Sequence, residues 1–186
     1  FTEKLIFPYH FEGEKAKLYT GKEMSEKYPK AFKYLSDKKN ILKERDKGKA
    51  NYEKWFAFGR TQSLEKMTYK LFFPHITANT PSYEISNDPD LYFYNGIAVI
   101  GESIEELQVL IKIMSSRVFW YYIKNSSKPY SANYFSLSKT YIKDFGICDL
   151  LPEEKDFVLT EQNQEALDQF FERKYKLDDL RIYLKQ

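Results

Sequence analysis

The sequence predicts an α+β fold, a mixed domain in which short, mainly antiparallel strands combine with two or three substantial helices. Three observations lead to this fold class. The 186-residue chain is 42% hydrophobic and 30% charged, a globular composition of about one domain's length. Its strand-like apolar runs are short and end near proline or glycine, whereas its helical patterns are longer. The regular alternation of strand and helix that marks a doubly wound parallel sheet does not occur.

Five short segments carry the apolar and aromatic pattern of strands. Pro8 marks an edge or an end of the first, and Pro74 closes the third, because proline cannot donate to a strand ladder. The fourth surrounds Asn95-Gly96, a strong signal for a two-residue hairpin turn. The predicted strands are residues 5–9, 17–19, 70–74, 91–100 and 141–147.

Three stretches have the apolar spacing of helices. Pro29 suits the first turn of the first helix. The segment Ser103-Ile104-Glu105-Glu106 is a capping box, and the buried stripe that follows holds Ser115-Ser116 in its middle. Pro152 and Thr160 are both helix-start signals. The three stripes are Ala31, Leu35 and Leu42; Leu107, Leu110, Ile111, Met114 and Val118; and Leu167, Phe170, Leu177 and Leu184.

Composition excludes several classes of protein. The longest wholly apolar run, residues 118–123, is far below the roughly 20 residues of a membrane span, so we expect no membrane partner. One cysteine, Cys148, excludes a disulfide framework and a cysteine zinc site, and it favours a reducing cytoplasm. Because Phe1 begins the chain without a signal-like apolar run, we expect a piece of a longer cytoplasmic protein.

The net charge of +2 conceals two strongly basic segments. Residues 27–60 hold 11 basic and 4 acidic residues, and residues 107–143 hold 6 basic residues and no acid. Such segments are typical of a surface that binds a polyanion, and a solvated helix face produces the same pattern. The second segment mixes lysines with tyrosines and asparagines, a combination that suits contacts to phosphates and base edges.

Two other functions stay open on the residues alone. In a metal-dependent nuclease, Asp88 or Asp90 with Glu153 would supply the clustered carboxylates that metal-assisted hydrolysis needs, and Lys155 would complete the motif. A solvated helix start explains Glu153 as well. In a protein-interaction module, the C-terminal helix would dock a partner and the basic faces would only be solvated. The sequence holds no glycine-rich phosphate loop and no Gly-x-Ser-x-Gly turn.

Several motifs, taken in order, carry a resemblance to a known family. They are Phe7-Pro8-Tyr9; Tyr28-Pro29 with Tyr34-Leu35, Leu42 and Arg45; Trp55-Phe56-Ala57-Phe58-Gly59-Arg60 with Gln62; Lys70-Leu71-Phe72-Phe73-Pro74; Leu110 to Ser116 with Phe119 to Tyr122; and Tyr141 to Ile147. Together, over residues 5–151, they resemble the TaqI-like C-terminal specificity domain. That domain is the target-recognition part of certain adenine-N6 DNA methyltransferases and fused restriction–methylation enzymes. Met114-Ser115 and Gly146 depart from the family pattern, which has Leu-Asn and proline there.

The resemblance implies a target-recognition domain over residues 1–151 and a C-terminal helical extension over residues 152–186. It implies two partners, which are double-stranded DNA and the methyltransferase catalytic domain of the same parent protein. The Asn-Pro-Pro-Tyr type motif and the S-adenosylmethionine glycine motif of adenine-N6 enzymes do not occur in the chain. We therefore expect no catalysis and no cofactor in this chain, with S-adenosylmethionine bound by the parent's catalytic domain.

On this interpretation, lysines grip phosphates while arginine, amide and tyrosine side chains read base edges. A second interpretation of Arg60 makes it a packing residue whose guanidinium pairs internally. The predicted DNA-binding residues are Lys33, Lys38, Lys39, Arg60, Gln62, Lys124, Asn125, Lys128, Tyr130, Asn133, Tyr134 and Lys139.

Overall fold

The computed structural model describes residues 4–49, 51–61, 64–92, 96–130, 133–177 and 180. The chain divides into two compact units, Phe1–Lys66 and Met67–Gln186. Short antiparallel strands and helices make up both units, so the predicted α+β fold class is confirmed. Within the described part, no helix has the length and apolar character to cross a membrane. The predicted division at residue 151 stays a prediction.

The first unit opens with a hairpin in which Tyr9 lies opposite Leu18. The predicted first strand, residues 5–9, is wrong in its position, since the first strand begins only at Tyr9. Pro8 lies just before the ladder, because it has no N–H to donate. Its carbonyl accepts from the Tyr19 amide at 3.0 Å. The two strands are β1 (Tyr9–Glu12) and β2 (Lys15–Leu18).

Three helices and a 3-10 turn follow, and Pro29 is confirmed as the first residue of the second helix. The predicted helix through Ala31, Leu35 and Leu42 is wrong in its continuity, because it breaks at Lys38, whose amide donates to the Leu35 carbonyl. The elements are α1 (Gly21–Lys27), α2 (Pro29–Asp37), α3 (Lys39–Lys43) and the 3-10 turn (Arg45–Gly48).

Arg45 connects the end of α3 to the segment around residues 55–57. Its guanidinium donates to the carbonyls of Leu42, Trp55 and Ala57 at 2.9, 3.0 and 2.9 Å. These bonds satisfy carbonyl groups that packing removes from water. The segment they hold places Phe56 in the small core of the unit, beside Tyr19 and Met24.

A three-stranded antiparallel sheet begins the second unit. Its central strand confirms the predicted strand over residues 70–74, shifted by one residue. The predicted strand over residues 91–100 is wrong at its start, because residues 91–92 are not in a strand. The strand after Gly96 pairs with the central strand. Asn95, in the predicted hairpin turn, lies outside the described residues. The sheet order is β5 (Glu84–Ser86), β3 (Tyr69–Phe73) and β6 (Ile97–Gly101).

Two helices, α4 (Ile104–Met114) and α5 (Arg117–Ser126), supply much of the core that covers this sheet. Half of the predicted capping box is confirmed, since the Ser103 hydroxyl accepts from the Glu106 amide at 3.1 Å. The Glu106 carboxylate instead accepts from the Glu102 amide, one residue before the cap. The prediction that Ser115-Ser116 lies mid-helix is wrong: Ser116 is the N-cap of α5 and accepts from the Phe119 amide.

Two very short strands pair with each other outside the three-stranded sheet, and a one-turn helix follows the second of them. Strand β4 (Ile76–Thr77) pairs with β7 (Phe135–Ser136), and α6 (Lys139–Ile142) comes directly after. The predicted strand over residues 141–147 is therefore wrong. Its aromatic pattern serves packing instead, because the Phe145 ring meets the Phe119 ring edge-on at 5.1 Å.

Two C-terminal helices, α7 (Pro152–Thr160) and α8 (Gln164–Lys174), pack against α4 and α5. Pro152 is confirmed as a helix start, whereas Thr160 is wrong because it is the last residue of α7. Asn163 caps α8 by accepting from the amides of Glu165 and Ala166. In the predicted final stripe, Leu167 is buried, Phe170 is half-buried and Leu177 is exposed; Leu184 lies outside the described residues.

Arg117 joins α5 to α8 through three carboxylates. Its guanidinium donates to Glu165 at 2.6 and 3.2 Å and to Glu172 at 2.9 and 3.2 Å, and lies 3.4 Å from Asp168. Its backbone amide also donates to Asp168 at 2.9 Å. The Arg117 side chain is only 14% exposed, so solvent screens this network weakly. Hydrogen bonds to Glu165 and Glu172 raise the pKa of the guanidinium, and burial raises the pKa of the Asp168 carboxyl.

We expect Arg117→Ala to lower the free energy of unfolding by about 3–5 kcal/mol, because it leaves buried carboxylates without their cation. Arg117 holds the pKa of Asp168 down against desolvation, so its loss lets that pKa rise further. A carboxyl with a raised folded-state pKa adds stability as the pH falls through that pKa, so the deficit should shrink between about pH 7 and about pH 5. Urea unfolding at both pH values measures it.

Arg173→Ala is the matched control, since this arginine lies exposed on the same helix and should change stability by less than about 0.5 kcal/mol. A deficit for Arg117→Ala below about 1 kcal/mol, or one that grows at acid pH, would contradict the role assigned to the network.

Gly101 is a position where a larger side chain would overpack the core. A Cβ there would lie 2.7 Å from Cδ2 and 2.9 Å from Cγ of the buried Leu107. We expect Gly101→Ala to cost about 1–3 kcal/mol through overpacking. Gly146→Ala is its control, because a Cβ at Gly146 meets nothing within 4 Å. Thermal unfolding of both variants tests this, and equal melting temperatures would refute it.

Candidate nucleic-acid interface

A loop between α5 and α6, here called the basic loop (residues 127–138, described except for 131 and 132), is closed by its own backbone. The Tyr130 amide donates to the Tyr134 carbonyl at 2.7 Å, and Pro129 forms a β-bridge with Phe135. At its base, the buried Ser127 hydroxyl donates to the Ser136 carbonyl at 2.6 Å. These bonds hold the loop through backbone atoms and the Ser127 hydroxyl, without the side chains of Tyr130 and Tyr134.

The structure brings seven of the predicted DNA-binding residues together on this loop and the two helix ends that flank it. Lys128, Tyr130, Asn133 and Tyr134 are all exposed on the loop, the two tyrosines by 46% and 42%. Three further residues lie beside it: Lys124 and Asn125 at the end of α5, and Lys139 at the start of α6.

The amide of Asn125 is partly committed to its own helix. Its Nδ2 donates to the Tyr121 carbonyl one turn earlier, at 2.7 Å. Asn133 has a positive φ of 61°, a left-handed conformation that asparagine tolerates better than most residues. Asn133 therefore has a backbone reason for its position in addition to any role in binding.

The six basic residues of the second segment fall into two classes. Arg117 is enclosed by three carboxylates, and Lys112 donates to the Glu161 carbonyl at 2.8 Å, so both serve the fold. The others lie at the basic loop and its flanks: Lys124, Lys128, Lys139 and Lys143. The excess positive charge of this segment is thus concentrated around the loop.

In the first unit, the predicted phosphate-binding lysines are exposed on or between α2 and α3. The Lys39 ammonium lies 5.6 Å from the Trp55 ring centroid in a cation–π contact, while Lys33 and Lys38 point to solvent. Arg60 is exposed and makes no hydrogen bond or ion pair with any residue that the structure describes. The second interpretation of Arg60, an internally paired guanidinium, describes Arg45 instead, which donates to the Trp55 and Ala57 carbonyls. Gln62 lies outside the described residues.

The acidic residues of the nuclease alternative serve other contacts or face solvent. Lys155 pairs with Glu105, Glu153 is exposed in the first turn of α7, and the Asp88 carboxylate accepts from the Asp90 amide at 2.8 Å. Across the described ranges, no three His, Cys, Asp or Glu side chains are grouped so as to hold a metal ion.

The segment around β4 lies next to the basic loop, although nothing in its sequence indicates this. His75 and Asn79 are exposed there, and β4 pairs with β7 at the base of the basic loop. A two-residue strand has no readable alternation, so only the pairing reveals that the two segments are neighbours.

Comparison with known proteins leaves the family of this chain open. No protein-family model matches the chain, and no curated protein matches it significantly. Its function is therefore argued from its own residues and their geometry.

The left-handed conformation at Asn133 yields a test of the loop. We expect Asn133→Ala to lower the free energy of unfolding by about 1–2 kcal/mol, since a Cβ without a compensating amide is strained there. Asn133→Gly removes the same amide without that strain and should cost less. Urea unfolding compares them, and an equal cost for both variants would show that the backbone at Asn133 is not strained.

Proposed function

We propose that this chain is the DNA-reading part of an adenine-specific DNA methyltransferase or of a fused restriction–modification enzyme. In this role it binds double-stranded DNA at a specific sequence and catalyses nothing by itself. The observation that carries the proposal is the basic loop, on which exposed lysine, asparagine and tyrosine side chains gather in a segment without any acidic residue. Its resemblance to the TaqI-like specificity domain supports the same function.

The lysines account for affinity in this proposal. Lys128 and Lys139 bracket the loop in the second unit, and Lys33, Lys38 and Lys39 are exposed in the first. An ammonium that neutralises a phosphate releases condensed counterions, which favours binding to any duplex and weakens as salt rises. These contacts fix the register of the protein on DNA without reading the sequence.

The amide, guanidinium and phenol groups account for specificity. The side-chain amides of Asn125 and Asn133 can make bidentate hydrogen bonds to N6 and N7 of adenine. The guanidinium of Arg60 can make them to O6 and N7 of guanine. Tyr130 and Tyr134 provide hydroxyls and flat apolar faces on the same loop as Asn133. Bidentate contacts of this kind are worth about 1–3 kcal/mol each in discrimination against the wrong base.

The chemical step would belong to a catalytic domain of the parent protein, which would supply S-adenosylmethionine as the methyl donor. The residues of this chain would hold the duplex in register, so that one adenine can be turned out of the stack into that domain's pocket. Their contribution is binding and orientation.

Selection of this chain on a randomised duplex pool, at low and moderate salt, tests the proposal. Enrichment of a word of a few base pairs, with affinity that falls as salt rises, is the expected result. Binding without enrichment would mean a nonspecific clamp, and no binding at low salt would favour a protein-interaction module. Magnesium-dependent cleavage of plasmid DNA, abolished by Glu153→Ala, would replace the proposal with a nuclease.

The phosphate contacts give a quantitative prediction. We expect Lys128→Ala and Lys139→Ala each to reduce the steepness of the salt dependence by about 0.9 in log K against log[salt], equally for specific and random duplexes. Lys22→Ala is the control, since Lys22 lies on α1 outside both groups and should leave the slope unchanged. Fluorescence anisotropy titrations over a salt series measure the slopes. Equal slopes for the loop variants and the control would remove these lysines from the interface.

A further inference from the structure

The basic loop is one part of a small β-ribbon. Strand β7 pairs on one side with β4, with Ile76 opposite Ser136 and Thr77 opposite Phe135, and the Leu137 amide donates to the His75 carbonyl at 2.8 Å. On its other side, Phe135 forms a bridge with Pro129. Three chain segments therefore lie side by side, in the order 75–77, 135–137 and 129–130, and are here called the loop ribbon.

The middle segment of the loop ribbon is packed into the protein, since Ser136 and Leu137 are buried, and the exposed side chains lie on the outer segments and at the end of the loop. Phe135 faces the core, where its ring meets the Trp120 ring edge-on at 5.7 Å. Its neighbour Tyr134 and the residue across the loop, Tyr130, are exposed. From the β4 segment, Ile76 adds an aliphatic side chain that is 42% exposed.

Two asparagines mark the same end of the loop ribbon. Asn79 lies two residues after Thr77, and Asn133 lies two residues before Phe135, the partner of Thr77. The turn at Asn79 does not use the Asn79 side chain, because the Thr77 hydroxyl donates to the Asn79 carbonyl at 2.6 Å and accepts from its amide at 3.3 Å. The Asn79 side chain is exposed and makes no hydrogen bond with another described residue.

The charge around this end also suits DNA. Residues 66–83 contain no acidic residue, as residues 107–143 contain none, so both segments of the pair can approach phosphates without repulsion. An interface formed by the basic loop alone would leave this second acid-free segment unexplained.

We infer that the end of the loop ribbon that carries Asn133 and Asn79 enters the DNA major groove and that Asn79, on the segment beside the basic loop, is a further specificity-determining residue. The inference rests on the proposed function. Paired strands lie about 4.8 Å apart, so the two segments that carry Asn79 and Asn133 fit the major groove, which is about 12 Å wide and admits a two-stranded ribbon. The Asn79 amide matches the N6 and N7 edge of adenine, and Ile76 offers the apolar contact that suits a thymine methyl group.

The test compares Asn79→Ala with Asn87→Ala, an exposed asparagine that follows β5 in the other sheet of the same unit. Each variant is titrated with the word selected by the unaltered chain, with every single-base variant of that word, and with random duplex. We expect Asn79→Ala to lose about tenfold in discrimination at one A·T pair and to keep its affinity for random duplex. Asn87→Ala should match the unaltered chain.

A second arm identifies the groove. Replacing that adenine by 7-deazaadenine removes the N7 acceptor from the major groove, and it should weaken the unaltered chain but not Asn79→Ala. If the unaltered chain selects a word and Asn79→Ala keeps its full discrimination, the inference is overturned while the proposed function stands. If the unaltered chain selects no word, both fail together. An unchanged urea midpoint for Asn79→Ala shows that the ribbon is intact.

Discussion

The ion-pair network of Arg117 is the contact on which the second unit depends most. Arg117 is the first residue of α5, and the carboxylates that enclose it belong to α8. The network therefore fixes one end of α5. The other end, about 15 Å away for a ten-residue helix, carries Lys124 and Asn125 and leads into the basic loop. The buried side chains Phe119 and Ile123 hold the helix between these two ends, so the network and the core together position the start of the loop.

Cations serve two different purposes in this chain, and counting charges cannot separate them. Arg117 and Arg45 are surrounded by acceptors, three carboxylates in one case and three carbonyls in the other. A planar guanidinium with five donors suits both tasks. Lys128 and Arg60, by contrast, face solvent. A basic segment read from the sequence overstates the charge that a partner meets, and only the packing shows which residues remain to bind one.

Local signals in the sequence predicted the elements they directly govern. Pro29, Pro152 and the Ser103 cap lie at helix starts because each acts within one turn of the backbone. The failures lie where distant partners decide. Residues 141–147 resemble a strand, yet Phe145 is held by rings from α5, and the strand after Gly96 pairs with the distant strand β3. The candidate site was predicted only in part for the same reason. The composition of the basic loop is visible in the sequence, whereas the pairing that places the β4 segment beside it is not.

The loop ribbon separates support from recognition. Its shape is held by backbone bonds and small buried groups: Tyr130 to Tyr134, Leu137 to His75, and the Ser127 hydroxyl. The outward side chains at its end contribute little to that support, apart from the conformational tolerance of Asn133. Under the proposed function, the residues that read bases, Asn133 excepted, can be exchanged without disturbing the scaffold that presents them. A reading surface built in this way can acquire a new target word while α5, α8 and the Arg117 network stay as they are.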